Sequence, residues 1–332
     1  MGIVIIKNKS GTPKYKQIVT SVEDAIINGT LKKGDKLPSL NSIKSQHSLS
    51  RDTVLTAFNE LKTRGIVQSI VGKGYYVLSE NIDVNQKIFL LFDEFNSFKE
   101  DLYNSFIDSM GKNVQVNIFF HHFNLDVFNK LINDNVGHYS YYVIMPANLK
   151  GTEIIINRLP NDRVYILDQI HPELIDYPSI YQNFKKDIYD GLQSGLRQIK
   201  KYHKIILLYN QKRQPKGILE GFNLFCDHNA IEHKIIATLN GKELSKGELY
   251  IILDDKNLIR IIKKIKDEHL ILAKDIGIIS YNDTLLKEIV EGGITTISTK
   301  FNLMGERLAE MILKNEFAQV ENPNHLILRK SL

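Results

Sequence analysis

Apolar residues recur along this chain in two rhythms, and the change between them divides it. Ile18, Val22, Ala25 and Ile26 fall at i, i+4, i+7 and i+8, one stripe on a first helix. Pro13 precedes that helix and Asn28-Gly29 end it. Gly34-Asp35 makes a turn, and a second helix runs from about Leu40 to Gln46. His47-Ser48-Leu49 forms a second turn, and a third helix then carries Val54, Ala57, Phe58 and Leu61 on its inner face. After Gly65 the pattern becomes that of strands. Ile66–Val71 and Tyr75–Leu78, joined by Gly72-Lys73-Gly74, predict a glycine-tipped hairpin. Two short helices joined by a tight turn and followed by a hairpin form a winged helix-turn-helix, over residues 1–78.

Ser79–Gln86 is polar and aperiodic and reads as a linker. From residue 87 to 332, apolar runs alternate with amphipathic stretches. The runs are Ile88–Phe92, Val114–Phe120, Tyr141–Met145, Val164–Leu167, Lys204–Tyr209, Leu249–Leu253 and Ile276–Ser280. The stretches between them include Leu102–Met110, Ile188–Ile199, Leu258–Ile265 and Met304–Ile312. Continuous apolar strands separated by helices predict parallel sheets covered on both faces. The expected fold is therefore multidomain: an N-terminal winged helix-turn-helix (α+β), then a two-lobed α/β domain.

Local chemistry sharpens the first module. Ser39 and Ser50 each stand where a helix N-cap belongs. With Val54, Phe58 and Leu61 turned inward, the third helix presents Arg51, Asp52 and Thr53 outward in its first turn, as a recognition helix does. Arg51 suits guanine O6 and N7, and Ser50 and Thr53 suit phosphate oxygens. Asp52 either accepts from cytosine N4 or favours the helix dipole. Lys73, between two wing-tip glycines, suits a phosphate or the minor groove. Residues 1–80 hold twelve Lys and Arg against six acids, a balance of +6, while the chain of 332 residues totals +5. A basic head on a near-neutral body is what a phosphate-binding module with a separate sensor requires.

Composition adds bounds. Hydrophobic residues at 43% and charged ones at 24% describe an ordinary soluble globular protein. No run approaches the roughly 18 apolar residues of a membrane span. The N-terminal apolar run has no preceding basic region and makes a poor signal peptide. A single cysteine, Cys226, excludes an internal disulfide and suits a reducing cytoplasm. His121 and His122, adjacent on a strand, face opposite sides, so no metal is expected there. No G-x-S-x-G and no G-x-G-x-x-G after a strand appears, and no cofactor is expected.

The head resembles the DNA-binding domain of the GntR class of bacterial regulators. The matching residues are Pro13, Tyr15, Gln17, Gly34-Asp35-Lys36-Leu37-Pro38-Ser39, Leu49-Ser50-Arg51-Asp52-Thr53-Val54, Ala57, Leu61, Gly65 and Gly72-Lys73-Gly74. The resemblance implies double-stranded operator DNA as partner, with Ser50, Arg51, Thr53 and the wing-tip glycine in contact. Ser39, Asn41, Asp52, Gly72, Lys73 and Gly74 complete the candidate DNA-facing set. Asn41 and Leu55 stand where many or some members carry arginine, which blocks transfer of an operator sequence from relatives.

Residues 275–313 in turn resemble the closing segment of LacI-type effector domains, which are similar to periplasmic sugar-binding proteins. The match rests on Ile278-Ile279-Ser280-Tyr281-Asn282-Asp283, Thr295-Thr296-Ile297 and Met304-Gly305, with weaker matches at Gln182-Asn183-Phe184, Asp187, Gly221-Phe222 and Asp254-Asp255. In such folds the ligand lies between lobes at the carboxyl ends of parallel strands. Candidate effector residues are then Asp93, Phe95, Asn96, Asp168, Asp187, Asp254 and Asn282, because carboxylates and amides suit sugar hydroxyls. Sensors of this type often carry an arginine where this chain has Ile218, and Lys216 or Arg213 nearby is the substitute candidate. The expected protein is a homodimeric, effector-controlled regulator answering a monosaccharide or sugar phosphate and repressing a carbohydrate-utilisation operon. The alternative is a GntR-class head on a pyridoxal-phosphate aminotransferase-type body, which would be longer and would need a Schiff-base lysine.

Overall fold

The computed structural model describes residues 2–7, 12–82 and 86–332. Of the expected linker, residues 83–85 lie outside the described residues.

The head begins with α1 (Lys14–Ile27), α2 (Leu40–His47) and α3 (Arg51–Thr63), followed by β1 (Val67–Ile70) and β2 (Gly74–Val77). Ser39 and Ser50 cap α2 and α3 by accepting from the amides of Ser42 and Thr53, both at 3.1 Å. Ser48 ends α2 in the left-handed region (φ 53°), which turns the chain into α3. Ile18, Val22, Val54, Phe58 and Leu61 are fully buried, and the Phe58 ring meets Tyr75 edge-on at 4.7 Å. Burial at this helical spacing holds the three helices together. The wing pairs antiparallel with Val67 opposite Val77 and Ile70 opposite Gly74. Gly72 and Gly74 both have positive φ, 73° and 106°, which is why glycine stands on either side of Lys73.

The body continues through β3 (Gln86–Phe92), α4 (Ser97–Met110), β4 (Val114–Phe120), α5 (Leu125–Asn135), β5 (Tyr141–Ile144), α6 (Thr152–Ile156), β6 (Val164–Asp168) and β7 (Ser179–Tyr181). Then come α7 (Phe184–Ser194), α8 (Leu196–Ile199), β8 (Lys204–Leu208), α9 (Lys216–His228), β9 (Glu232–Ile236), β10 (Glu248–Ile252), α10 (Asp255–Asp267) and β11 (Ile276–Tyr281). The chain ends with α11 (Leu285–Ile289), β12 (Thr295–Thr299), α12 (Phe301–Lys314), β13 (Gln319–Glu321) and β14 (Asn324–Ile327).

These strands form two six-stranded sheets, ordered β13-β7-β6-β5-β3-β4 and β14-β12-β11-β10-β8-β9. In the first sheet β3 runs parallel to β4 and β5, and β7 to β6 and β13. The second is parallel from β9 to β12, with β14 closing it antiparallel to β12. The seven apolar runs are all strands, and the fold is the expected two-sheet α/β body behind a winged head. Residues 188–199 were expected as one helical stretch. They divide at Gly195, whose amide bonds back to Leu192 at 3.1 Å and closes α7 with a tight last turn. Gly221 on α9 is required by packing, since a Cβ there would sit 2.1 Å from the Lys185 carbonyl on α7.

Two compact units emerge. One is Met1–Phe92, Met110–Ile144 and Gly151–Tyr165, holding the head; the other is Asp93–Ser109, Met145–Lys150 and Ile166–Leu332. The segments following β3, β5 and β6 therefore belong to the same unit as the second sheet.

Candidate nucleic-acid face and buried polar site

In the head, every candidate DNA-facing residue stands at the surface. Ser39, Asn41, Ser50, Arg51, Asp52, Gly72, Lys73 and Gly74 are exposed, and Thr53 is half-buried. Ser50 and Thr53 serve the fold first: their hydroxyls lie 2.8 Å apart while Ser50 caps the helix. One hydroxyl of the pair donates to the other, which leaves the second hydrogen free to donate outward. Arg51 and Asp52 open the first turn of α3, where unpaired helix amides also point outward. Val71, beside the wing tip, is 99% exposed, an apolar feature that sequence reasoning passed over because it continues a strand pattern.

The second unit treats polar groups in the opposite way. Asp93, directly after β3, is buried and forms an ion pair with the buried ammonium of Lys99 on α4. Asp168 ends β6 with φ 73° and accepts from Gln182 Nε2 at 2.5 Å; Gln182 is itself buried. Burial pushes Lys99 down to about 8, opposed by the charge of Asp168. The same burial raises Asp168, opposed by Lys99 and by the Gln182 hydrogen bond. Around them, Gln169 donates to Asn148 Oδ1 at 3.0 Å, and Asn148 donates to the Gln214 carbonyl at 2.9 Å. Asp93, Lys99 and Gln182, all buried, and half-buried Asp168 thus form one charge-paired cluster beyond the strand ends, rich in fixed donors and acceptors.

The remaining candidates are distributed differently. Asn96 caps α4, accepting from the Lys99 amide at 3.2 Å, and Phe95 is exposed. Asp254 caps α10 through Asn257 N at 2.8 Å and Asn257 Nδ2 at 2.7 Å. Lys216 lies exposed at the start of α9 and pairs with Glu220 at 2.8 Å, while Ile218 is buried in the core. Asn282 follows β11 with φ 59°; its carbonyl accepts from buried Lys287 at 2.7 Å, and its Oδ1 is buried without a partner. Asp187, in the first turn of α7, is buried with Oδ2 unpartnered. Burial first, then Glu321 and Asp190, push its pKa up to about 7, against Lys186 and a backbone hydrogen bond. Tyr281 is held well above its ordinary pKa by burial and by the charges of Asp187 and Asp168.

Lys99 and Gln182 as site residues, and Lys287 as a support, escaped the sequence reading. A lysine on an amphipathic helix reads as surface, and only the Gln182-Asn183 match hinted at the second. Cys226 is buried, and that burial pushes its thiol up to about 12, an unreactive setting. Among the described residues no helix is long and apolar enough to cross a membrane.

Comparison with known proteins fits this geometry. The profile of "Bacterial regulatory proteins, gntR family" matches residues 14–77. The HTH-type transcriptional repressor YtrA of Bacillus subtilis is 31% identical over 114 residues, covering 34% of this chain and 84% of that protein. The mannosyl-D-glycerate transport/metabolism system repressor MngR of Escherichia coli is 37% identical over 97 residues, 29% of this chain and 38% of that protein. Among solved structures, a LacI family transcriptional regulator from Enterococcus faecium with bound ribose superposes with a TM-score of 0.60 at 17% identity. That match covers 74% of this chain and 98% of the other, and at such identity it shows the fold alone. By its head sequence and its match across most of YtrA, the chain belongs to the gntR family of bacterial regulatory proteins.

Proposed function

We propose that this protein is a homodimeric, effector-controlled repressor of a carbohydrate-utilisation operon. Residues 1–78 bind operator DNA, residues 79–86 link, and residues 87–332 sense a monosaccharide or sugar phosphate. One observation carries the sensor half: the charge-paired Asp93–Lys99–Asp168–Gln182 cluster assembled beyond parallel strands. Such strand ends are where open α/β sheets hold ligands. The Enterococcus regulator of like fold has ribose bound, and the MngR relative governs a sugar-derivative system, which supports a polyhydroxylated effector. In this reading Asp93, Asp168, Gln182 and Asn282 meet hydroxyls, and Lys99 attracts a phosphate where the sugar carries one.

On the head, Arg51 reads base edges while Ser50, Thr53 and Lys73 hold phosphates. A two-fold protein matches two half-sites about one helical turn apart. The effector, by binding one state of the body more tightly than another, shifts DNA affinity, and linkage requires DNA to shift effector affinity by the same factor. A thermal-shift panel of monosaccharides and their phosphates tests the sensor: a ligand that binds only the folded state raises the melting temperature with its concentration. A flat panel would overturn the sugar assignment and leave the head untouched. Equal effector affinity with and without operator, despite effector-driven DNA release, would contradict the linkage.

A further inference from the structure

One short helix of the second unit is built inside out. α11 buries its lysine, Lys287, and turns its apolar residues to solvent: Leu285 is 81% exposed, Ile289 76% and Leu286 55%. Lys287 is held beneath the helix by the carbonyls of Tyr281 and Asn282, at 2.9 and 2.7 Å, and by Asp255 at 2.9 Å. A second ion pair, Lys266 to Glu291 at 2.5 Å, ties the turn after α11 to the far end of α10. Asp255 and Lys266 share one stripe of α10, and Ile259, 60% exposed, lies on that stripe between them. Ile259 therefore adjoins α11, and the large apolar side chains of both helices form one exposed surface. An apolar patch of this kind, rimmed by charge, marks a place where another molecule docks.

The charges identify the partner. Lys256, Arg260 and Lys263 recur at i, i+4 and i+7 along the outer face of α10, all exposed. Lys264 and Lys266 already pair with Glu268 and Glu291, whereas no carboxylate among the described residues pairs with those three. On α11, Glu288 is exposed, and the cation its charge acts on, Arg329, is already held by Asp283 at 2.6 and 2.8 Å. A polyanion would suit the basic stripe but leave the α11 leucines in water. A wholly apolar partner would strand the cations of α10. A second copy of this surface, turned about a two-fold axis, answers both. Its α11 brings apolar side chains and a carboxylate to this α10, and receives the same in return.

We propose that α10 and α11 form the two-fold interface of this protein, each α10 packing on the α11 of a second copy. Ile259 is buried against the partner's Leu285, Leu286 and Ile289, and Arg260 meets the partner's Glu288. This rests on the homodimer reading and deepens it by assigning the surface. Asp254 caps α10 and the Asn282 carbonyl holds Lys287 under α11, so two candidate effector residues support this face from behind.

The test is sedimentation equilibrium of the full chain at micromolar concentration. The parent should be a dimer, and Leu285→Ser with Ile289→Ser should weaken it by about a hundredfold. Ile154→Ser, at a comparably exposed isoleucine on α6, should leave the dimer intact. Charge exchange keeps the test decisive should the serine variant misfold. Arg260→Glu should weaken the dimer severalfold, and adding Glu288→Arg to the same chain should restore it. A dimer that survives the serine substitutions, that dissociates equally with Ile154→Ser, or that the charge exchange weakens further would overturn the proposal. Each of those results would leave the homodimer reading standing on another surface. A monomeric parent would overturn both.

Discussion

The head and the second unit place their polar residues in opposite environments. In the head the interior is apolar, and Arg51, Asp52 and Lys73 lie at the surface. In the second unit Lys99, Asp93, Gln182 and Asp187 are inside, and burial displaces the pKa values of Lys99 and Asp187. A surface that meets a polyanion can leave its charges in water until the partner arrives, because attraction to phosphate acts at range. A pocket for a small molecule must preorganise its groups away from water, and it then carries desolvation permanently. Substitutions should therefore change stability in the second unit and affinity in the head.

The largest effect is expected at Lys99. Lys99→Met leaves Asp93 and Asp168 without the cation between them, and breaking such a buried pair costs about 3–5 kcal/mol. Urea unfolding at pH 7.5 should show that loss, and adding Asp93→Asn to the same chain should recover part of it. Arg51→Ala in the same assay should stay within about 0.5 kcal/mol of the parent. Equal losses at both positions would erase the contrast.

Asp187 should move stability the other way. Its folded pKa, about 7, lies above the 3.8 of a free carboxyl, so the folded state holds the proton more tightly. Protonation favours folding fully at pH values below about 4, and that advantage disappears as pH rises towards and through 7. Asp187→Asn removes the penalty, and should raise stability by about 2–4 kcal/mol at pH 8 and little near pH 4. Melting temperatures at both pH values check the sign; a destabilised variant at pH 8 would mean that an unseen cation already compensates the carboxylate.

This contrast also explains what the sequence disclosed. Ser39, Ser50 and the wing glycines were legible because a cap or a positive-φ turn is decided within three or four residues. Six of the seven apolar runs were legible because both faces of each strand are covered; the edge strand Val114–Phe120 is only half-buried and was legible from its valines, isoleucine and phenylalanines. Short or mixed strands were not: Glu232–Ile236, at a sheet edge, mixes charge with isoleucine, and Ser179–Tyr181 and Gln319–Glu321 are three residues long. Asp93, Asp168 and Asp254 gave the same signal, an acid ending an apolar strand. The first two join the charge-paired cluster and the third caps α10. Nothing local separates those outcomes, since Asp168 depends on Gln182, fourteen residues away, and Asp93 on a lysine inside a helix.

On the head, the expected changes are in affinity. If Arg51 reads a guanine, Arg51→Ala should weaken operator binding roughly 5- to 150-fold and relax preference at one base position. Fluorescence anisotropy with the operator and single-base variants measures both. Weakening without relaxed preference would reassign Arg51 to phosphate, and no weakening would move the reading face away from the first turn of α3.

The smallest effect belongs to Lys73. It is exposed at the wing tip between two positive-φ glycines, so its removal should disturb no packing. A lysine that neutralises one phosphate contributes about 0.9 to the slope of log affinity against log salt. Lys73→Ala should therefore weaken operator and random DNA alike and flatten that slope by about one. Equal loss on both DNAs with the flattened slope places the wing against the backbone. A loss confined to the operator would instead give the wing a share in base reading, with the fully exposed Val71 beside it as the next residue to change. An unchanged slope would leave α3 as the whole of the head's DNA face.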